Sequence, residues 1–387
     1  MYTIQTLNKI SAAGTKRFDA ACYTVTDTAE NPDAIMVRSA AMHDMEFGSN
    51  LLAIARAGAG TNNIPVDRCA EAGICVFNTP GANANAVKEL VLTGLLLSSR
   101  KIPQAIAWAQ SLEHEEGIGK LVEKGKSQFA GPELKGKTLG IIGLGAIGAL
   151  VANAAIALGM QVVGTDPFLS VGAALRLNPA VKIVKDADGV YAAADYLTIH
   201  VPFNNDTKGM INTETIGKMK DGVRILNYAR GELVNDDDML AALASGKVAC
   251  YCTDFPNAKT CHAEGIIATP HLGASTPESE ENCASMAAEE LISYLETGNI
   301  RNSVNLPNAE MQAVGNKVCI LHQNVPAMIS AVTAVAGNAG VNIENMVNAS
   351  RQSYAYTMLD IPETVTEAML EQIRAIDGVI RVRLIAK

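Results

Sequence analysis

The stretch Leu139 to Gly148, LGIIGLGAIG, constrains this chain more than any other. Leu139, Ile141 and Ile142 read as a buried strand, and Gly143-Leu144-Gly145-Ala146-Ile147-Gly148 is a GxGxxG turn. A small-residue helix follows over Ala149 to Leu158. A second apolar run, Gln161 to Thr165, then ends on Asp166. Strand, glycine turn, helix, strand and acid is the layout of a dinucleotide site. Gly143 permits the tight turn, Gly145 lets backbone approach a pyrophosphate, and Gly148 lets helix and strand pack closely. The helix start, with Ala146 and Ile147, offers free N–H groups and partial positive charge to phosphates. Asp166 lies 18 residues beyond Gly148. A carboxylate there accepts from a ribose and repels a 2′-phosphate, which favours NAD over NADP.

The alternation continues downstream. Strands are expected at Val181 to Val184, Tyr196 to His200, Val223 to Asn227, Val248 to Thr253 and Ile266 to Thr269, most of them separated by helical segments. Such a sequence builds a doubly wound parallel sheet. Ahead of the glycine turn, Ala84 to Arg100 reads as a long helix with Val87, Leu90, Val91 and Leu95 on one face and Gly94 as a close-packing point. Ile102 to Leu121 reads as a second helix, carrying the only tryptophan, Trp108.

At 387 residues the chain needs two or three domains. Residues 299–315 are rich in Asn, Pro and Gly and read as a linker. After it comes a βαββαβ pattern, with strands at Lys317 to His322, Val341 to Ala349, Tyr354 to Ile361 and Val379 to Ile385. Helices fall at Val325 to Ala339 and Val365 to Ile376, which makes a ferredoxin-like unit. The helix after Thr276 carries the chain back to the first domain. The expected division is therefore 1–98 with 276–305, then 99–275, then 316–387.

Composition removes several classes of function. A net charge of −9 argues against non-specific nucleic-acid binding. No apolar run approaches the ~20 residues of a membrane span, and the start MYTIQTLNKI lacks the layout of a secretory signal. The eight cysteines include no CxxC, so no metal is expected, and idle thiols in a reducing cytoplasm are the default.

Three segments near the start end in polar or glycine-rich loops. Ala34 to Val37 leads into Arg38-Ser39, Leu51 to Arg56 into Ala57-Gly58-Ala59-Gly60-Thr61-Asn62-Asn63, and Ile74 to Phe77 into Asn78-Thr79-Pro80-Gly81-Ala82-Asn83. Each alone is an ordinary turn; together they lean towards a binding site at the carboxyl ends of strands. Two basic groups later in the chain also follow strand ends. The planar fork of Arg230, in NYARG, suits a carboxylate. His271, in TPHLGAST, can take a hydroxyl proton. His43, His114 and His262 lack such a setting, and His200 falls on the nucleotide side.

VRS, ARAGAGTNN, the GxGxxG unit, HVP, ARG and TPHLGAST occur in one order along nearly the whole chain. In this it resembles the NAD-dependent D-2-hydroxyacid dehydrogenases, most of all the branch acting on 3-phospho-D-glycerate with a C-terminal ACT domain. The resemblance implies two doubly wound domains, one flavodoxin-like and one dinucleotide-binding, followed by a ferredoxin-like ACT domain. It implies that Arg230 holds the substrate carboxylate and that His271 is the acid/base. Arg38, Ser39 and Asn83, with the Ala59-Gly60 backbone, would line the substrate side. NAD would be held by the glycine turn and Asp166, with His200, Val201, Pro202, Thr207, Ala229, Asp254 and Gly273 around it. A small phosphorylated 2-hydroxy acid is the expected substrate, and a homodimer or homotetramer the expected assembly. His322, Asn324 and Asn342 stand where an L-serine effector would be held. The implied reaction is oxidation of 3-phospho-D-glycerate to 3-phosphohydroxypyruvate, the first step towards L-serine. The alternatives are another D-2-hydroxy acid or a non-catalytic NAD sensor.

The chain departs from the family pattern at two places. An acid normally follows the strand that ends at Asp254 and pairs with the catalytic histidine. Here the text is Thr253-Asp254-Phe255-Pro256-Asn257-Ala258-Lys259, with no acid in the matching place. In the tail, the turn usually written Asn-x-Pro-Gly is Asn324-Val325-Pro326-Ala327.

Overall fold

The computed structural model describes residues 1–386. They form two compact units, residues 1–83 with the chain from Pro277 onward, and residues 84–276. The helix Ala84–Arg100, expected in the first domain as far as residue 98, lies in the second unit. Val87, Val91 and Leu95 explain this: they are buried with Leu139, Ile141, Val151 and Leu226 in one core. Gly94 is the close-packing point, since a Cβ there would collide with the Tyr228 hydroxyl.

The second unit is built on a seven-stranded parallel sheet. Its order runs Ile266–Ala268, Val248–Thr253, Val223–Asn227, Tyr196–Ile199, Thr138–Ile142, Gln161–Thr165, Lys182–Ile183. The chain order therefore reverses between Thr138–Ile142 and Tyr196–Ile199, which is where doubly wound sheets open a crevice for ligands. The single helix expected over 102–121 is two, Ile102–Ser111 and Ile118–Gly125, with no buried residue in either. Gly117 breaks them with a left-handed φ of 73°.

The first unit holds two sheets. One is parallel, in the order Tyr23–Thr26, Tyr2–Leu7, Ala34–Val37, Ala53–Arg56, Cys75–Phe77, the flavodoxin-like arrangement. The helix Pro277–Thr297 returns onto it and buries Cys283, Ala287, Leu291 and Tyr294 against Ile4, Met36 and Phe77.

The other sheet is antiparallel, in the order Asn345–Arg351, Tyr354–Ile361, Asn316–Gln323, Val379–Ile385. With the helices Met328–Asn338 and Glu367–Arg374 it completes the ferredoxin-like βαββαβ topology. Strand alternation divides its residues between two cores. Val318 and Ile320 pack with the two helices, while Cys319 and Leu321 join the core under the first sheet. The strand expected from Val341 begins only at Asn345, because Val341 and Ile343 turn inward against the helix-side core.

Residues 299–315 are not a free linker. Ile300, Leu306, Ala309 and Met311 are buried in the first-sheet core. Asn305 lies along the edge strand, accepting from Val76 N at 2.9 Å and donating to Ile74 O at 2.9 Å, so its amide stands in for another strand. Buried Lys317 donates to Thr297 O, Asn299 Oδ1 and Met311 O, fastening the segment to the antiparallel sheet. All eight cysteines are free, and no helix of the described residues is long and apolar enough to cross a membrane.

Candidate active site

In the second unit the glycine turn has three distinct geometries. Gly143 is left-handed, at φ 93°, and a Cβ there would meet His200 O at 2.5 Å. Gly145 faces open space. At Gly148 a Cβ would collide with Gly143 O, so only hydrogen lets helix and turn close. Gly145 starts the helix Ala146–Ala157 with no side-chain cap, leaving its first N–H groups to a ligand. Asp166 holds the turn from the neighbouring strand end: Leu144 N donates to its Oδ2 and Phe168 N to its Oδ1, both at 2.9 Å.

The remaining strand ends lie along the same edge. His200 follows Tyr196–Ile199, and its Nε2 lies 3.0 Å from Thr198 Oγ1. Burial depresses the imidazole's pKa to about 3, so the ring is neutral. Its buried Nδ1 has no partner among the described residues. Val201 and Pro202 continue into a turn closed by Thr207, whose Oγ1 donates to Pro202 O at 2.8 Å and accepts from Asn204 N at 2.9 Å. Buried Asn227 shapes the next turn, accepting from Ala229 N and donating to Arg230 O. Arg230 is exposed; its Nη1 donates to Ala229 O, and none of the ion pairs among the described residues involves it.

His271 adopts a left-handed backbone, φ 54°, which a β-carbon disfavours. Asp254 holds it there. The Asp254 carboxylate is 1% exposed and accepts from Thr269 Oγ1 at 2.7 Å and from Leu272 N and Gly273 N at 2.8 Å. The Asp254 carbonyl accepts from His271 N at 2.9 Å, which closes the loop from its backbone side. The family resemblance puts Asp254 beside the cofactor; in the structure its carboxylate accepts three hydrogen bonds from the loop that carries His271. The imidazole packs on Phe255, ring centroids 4.9 Å apart, and no carboxylate pairs with it among the described residues. The two residues that shape these turns, Asn227 and Asp254, differ in legibility. Asn227 sits unmarked at a strand end, whereas Asp254 carries a signal, though not for its part in holding this loop.

In the first unit, the loops with the expected substrate-side residues follow three adjacent strands, Ala34–Val37, Ala53–Arg56 and Cys75–Phe77. Ser39 N and Ala40 N both donate to Asn8 Oδ1, which fixes the first loop. Ala59 O accepts from Asn78 Nδ2, and Gly58 O from Thr79 N, tying the second loop to the third. Gly60 and Asn83 lie partly exposed in those loops. Arg38 is half-exposed and paired with Glu280 at 2.8 Å.

The expected effector residues are not joined by hydrogen bonds among the described residues. His322 is buried, with Nδ1 on Gln323 O and Nε2 on Thr357 Oγ1, and burial lowers its pKa. Asn324 donates to Gln352 O, and Asn342 to Glu344 Oε1. Ala327, where the family turn carries glycine, takes the left-handed conformation at φ 63°.

Residues 92–273 match the family model described as D-isomer specific 2-hydroxyacid dehydrogenase, NAD binding domain. The chain is 33% identical over 340 residues to the D-3-phosphoglycerate dehydrogenase of Escherichia coli strain K12, covering 84% of this chain and 79% of that one. This chain belongs to the D-2-hydroxyacid dehydrogenase family. A second member, the D-3-phosphoglycerate dehydrogenase of Archaeoglobus fulgidus, is 37% identical over 291 residues; the match takes in 72% of this chain and 52% of that protein, so the chain spans about half the length of that relative. Among solved members, the NAD+-bound 3-phosphoglycerate dehydrogenase of Entamoeba histolytica superposes with a TM-score of 0.62 at 26% identity, covering 79% of this chain and 98% of that one. The second unit thus corresponds to the family's NAD-binding domain, and the residues present fit the cofactor. Gly145 leaves the space a pyrophosphate needs, and Asp166 presents a carboxylate at the second strand end.

Proposed function

We propose that the protein catalyses reversible oxidation of 3-phospho-D-glycerate to 3-phosphohydroxypyruvate with NAD, the first step towards L-serine. The observation that carries this reading is the strained His271 loop together with an unpaired Arg230, both on the edge of an NAD-binding sheet, in a chain 33% identical to a phosphoglycerate dehydrogenase. NAD supplies the acceptor for the hydride that leaves C2. His271 takes the proton of the C2 hydroxyl, so the C–H electron pair departs as the C=O bond forms. Arg230 holds the carboxylate bidentately and polarises the forming carbonyl. Arg38 is the candidate cation for the phosphate, exchanging Glu280 for it, and a second cation comes from a neighbouring subunit of a homodimer or homotetramer. Ser39, Asn83 and the Ala59-Gly60 backbone bind the rest of the acid.

Ala146 and Ile147 N–H groups hold the pyrophosphate, with Val201, Pro202, Thr207, Ala229 and Gly273 lining the nucleotide. The antiparallel unit is read as an ACT domain, with His322, Asn324 and Asn342 as candidate serine contacts. The eight free thiols suit a reducing cytoplasm. NADH absorbance is the test, with 3-phospho-D-glycerate, glycerate, lactate and phosphoerythronate offered in turn. The phosphorylated three-carbon acid should be preferred. One observation favours a second reading, an NAD sensor without turnover: the imidazole lacks a carboxylate partner. NAD binding with no reduction by any 2-hydroxy acid would establish that alternative.

A further inference from the structure

The strand Val379–Ile385 carries Arg381 and Arg383 two residues apart, hence on one face. Arg381 donates to Leu51 O at 3.0 Å and Ala72 O at 3.2 Å. Arg383 donates to Tyr294 O at 3.2 Å and Leu295 O at 2.9 Å, with its guanidinium 4.6 Å from the Tyr294 ring centroid. All four acceptors are backbone carbonyls. None of the ion pairs formed by the described residues includes either arginine. Two guanidinium charges therefore sit partly buried without a counter-charge among the described residues, in a chain whose net charge is −9.

Both arginines line an open cleft of about 410 Å³ between this strand and the turn at 49–52, with Arg374 and Ser49 at its exposed rim. Arg374 is held by Glu367, an exposed pair that water screens. Burying cations without a partner is costly, and carbonyl dipoles offset only part of that cost. Planar guanidinium forks match phosphate oxygens, and a serine hydroxyl at the rim adds a donor.

We infer that this cleft, formed by Arg381, Arg383, Arg374 and Ser49, binds a small phosphate anion, free or as a monoester. The bound anion neutralises the arginine pair and ties the antiparallel sheet to the first sheet. The site is separate from the substrate-side loops, and its reading does not depend on the proposed reaction.

Titration calorimetry of the full chain with inorganic phosphate tests this at constant ionic strength. Saturating NAD occupies the glycine turn, and Arg38→Gln removes the other candidate phosphate cation. In that background the protein should still bind one phosphate per chain. Adding Ser49→Glu, an exposed change that puts a carboxylate at the rim, should weaken binding by about tenfold or more at unchanged circular dichroism. Arg374→Gln should weaken it less. Replacing inorganic phosphate with glycerol phosphate separates the free ion from a monoester. No binding in the Arg38→Gln background, or binding there that Ser49→Glu leaves unchanged, would overturn the inference.

Discussion

Two loops on one edge of the second sheet solve the same backbone problem differently. At Gly143 the chain turns through a left-handed φ of 93° and uses glycine, so the conformation is nearly free of strain. At His271 it turns through a left-handed φ of 54° with an imidazole attached. The second loop is held by outside support, the Asp254 carboxylate with its three donors. A turn that must bring backbone close to a ligand can use glycine. A turn that must present a reactive side chain cannot, and needs a carboxylate built in elsewhere to hold it.

That contrast can be broken most sharply at His271. His271→Asn keeps a residue tolerant of left-handed φ but removes the proposed base. Turnover should fall by about 10³-fold with NAD affinity unchanged, read by steady-state kinetics and cofactor titration. Asp254→Asn leaves His271 in place and removes the loop's charged acceptor. Turnover should drop by roughly 30- to 100-fold, again with little change in NAD affinity. If Asp254 served the cofactor alone, affinity would fall with it. Gly148→Ala is the matching change in the first loop. The methyl collides with Gly143 O, so NAD affinity falls and the unit loses about 2 kcal/mol, measured by denaturant unfolding.

Glu290, on the helix Pro277–Thr297, is the counterpart of Asp254: a buried carboxylate without a full set of donors. Asn302 Nδ2 donates to its Oε1, while its Oε2 has no partner among the described residues. Burial raises its pKa from 4.5 to about 8. The folded state therefore holds a proton that the unfolded state releases between those values. Stability is complete below about pH 4.5 and declines as pH rises towards 8. Glu290→Gln should remove that decline and raise stability at pH 8 by about 2 kcal/mol, measured by urea unfolding at both ends of the range. The smallest effect belongs to Ala327, left-handed with no carboxylate hydrogen-bonded behind it among the described residues. Ala327→Gly should add about 1 kcal/mol to thermal stability.

The glycine turn is legible in the sequence because everything it needs lies within a few residues or one strand away. Gly143, Gly145, Gly148 and Asp166 carry their roles in their spacing. The strands and helices of the other two sheets are legible for a similar reason, since period-2 and helical patterns are local; the flavodoxin-like order of the first sheet is implied by the family resemblance and not by those patterns. Residues 299–315 are not. Asn305 looks like a loop residue until the edge strand it completes, more than two hundred positions earlier, comes beside it. The helix Ala84–Arg100 reads clearly as a helix, yet its apolar face does not state which core it fills, and the sequence alone puts it in the wrong unit. Asp254 stands out as a strand-end acid, but its donors belong to a loop whose fold has first to be known.

The most direct test of the account is a single-turnover experiment with 3-phospho-D-glycerate deuterated at C2. The wild-type protein should transfer deuterium to the nicotinamide in one fast phase, and His271→Asn should bind NAD equally well and lose that phase. Absence of transfer in the wild type, or an undiminished phase in the variant, would contradict it.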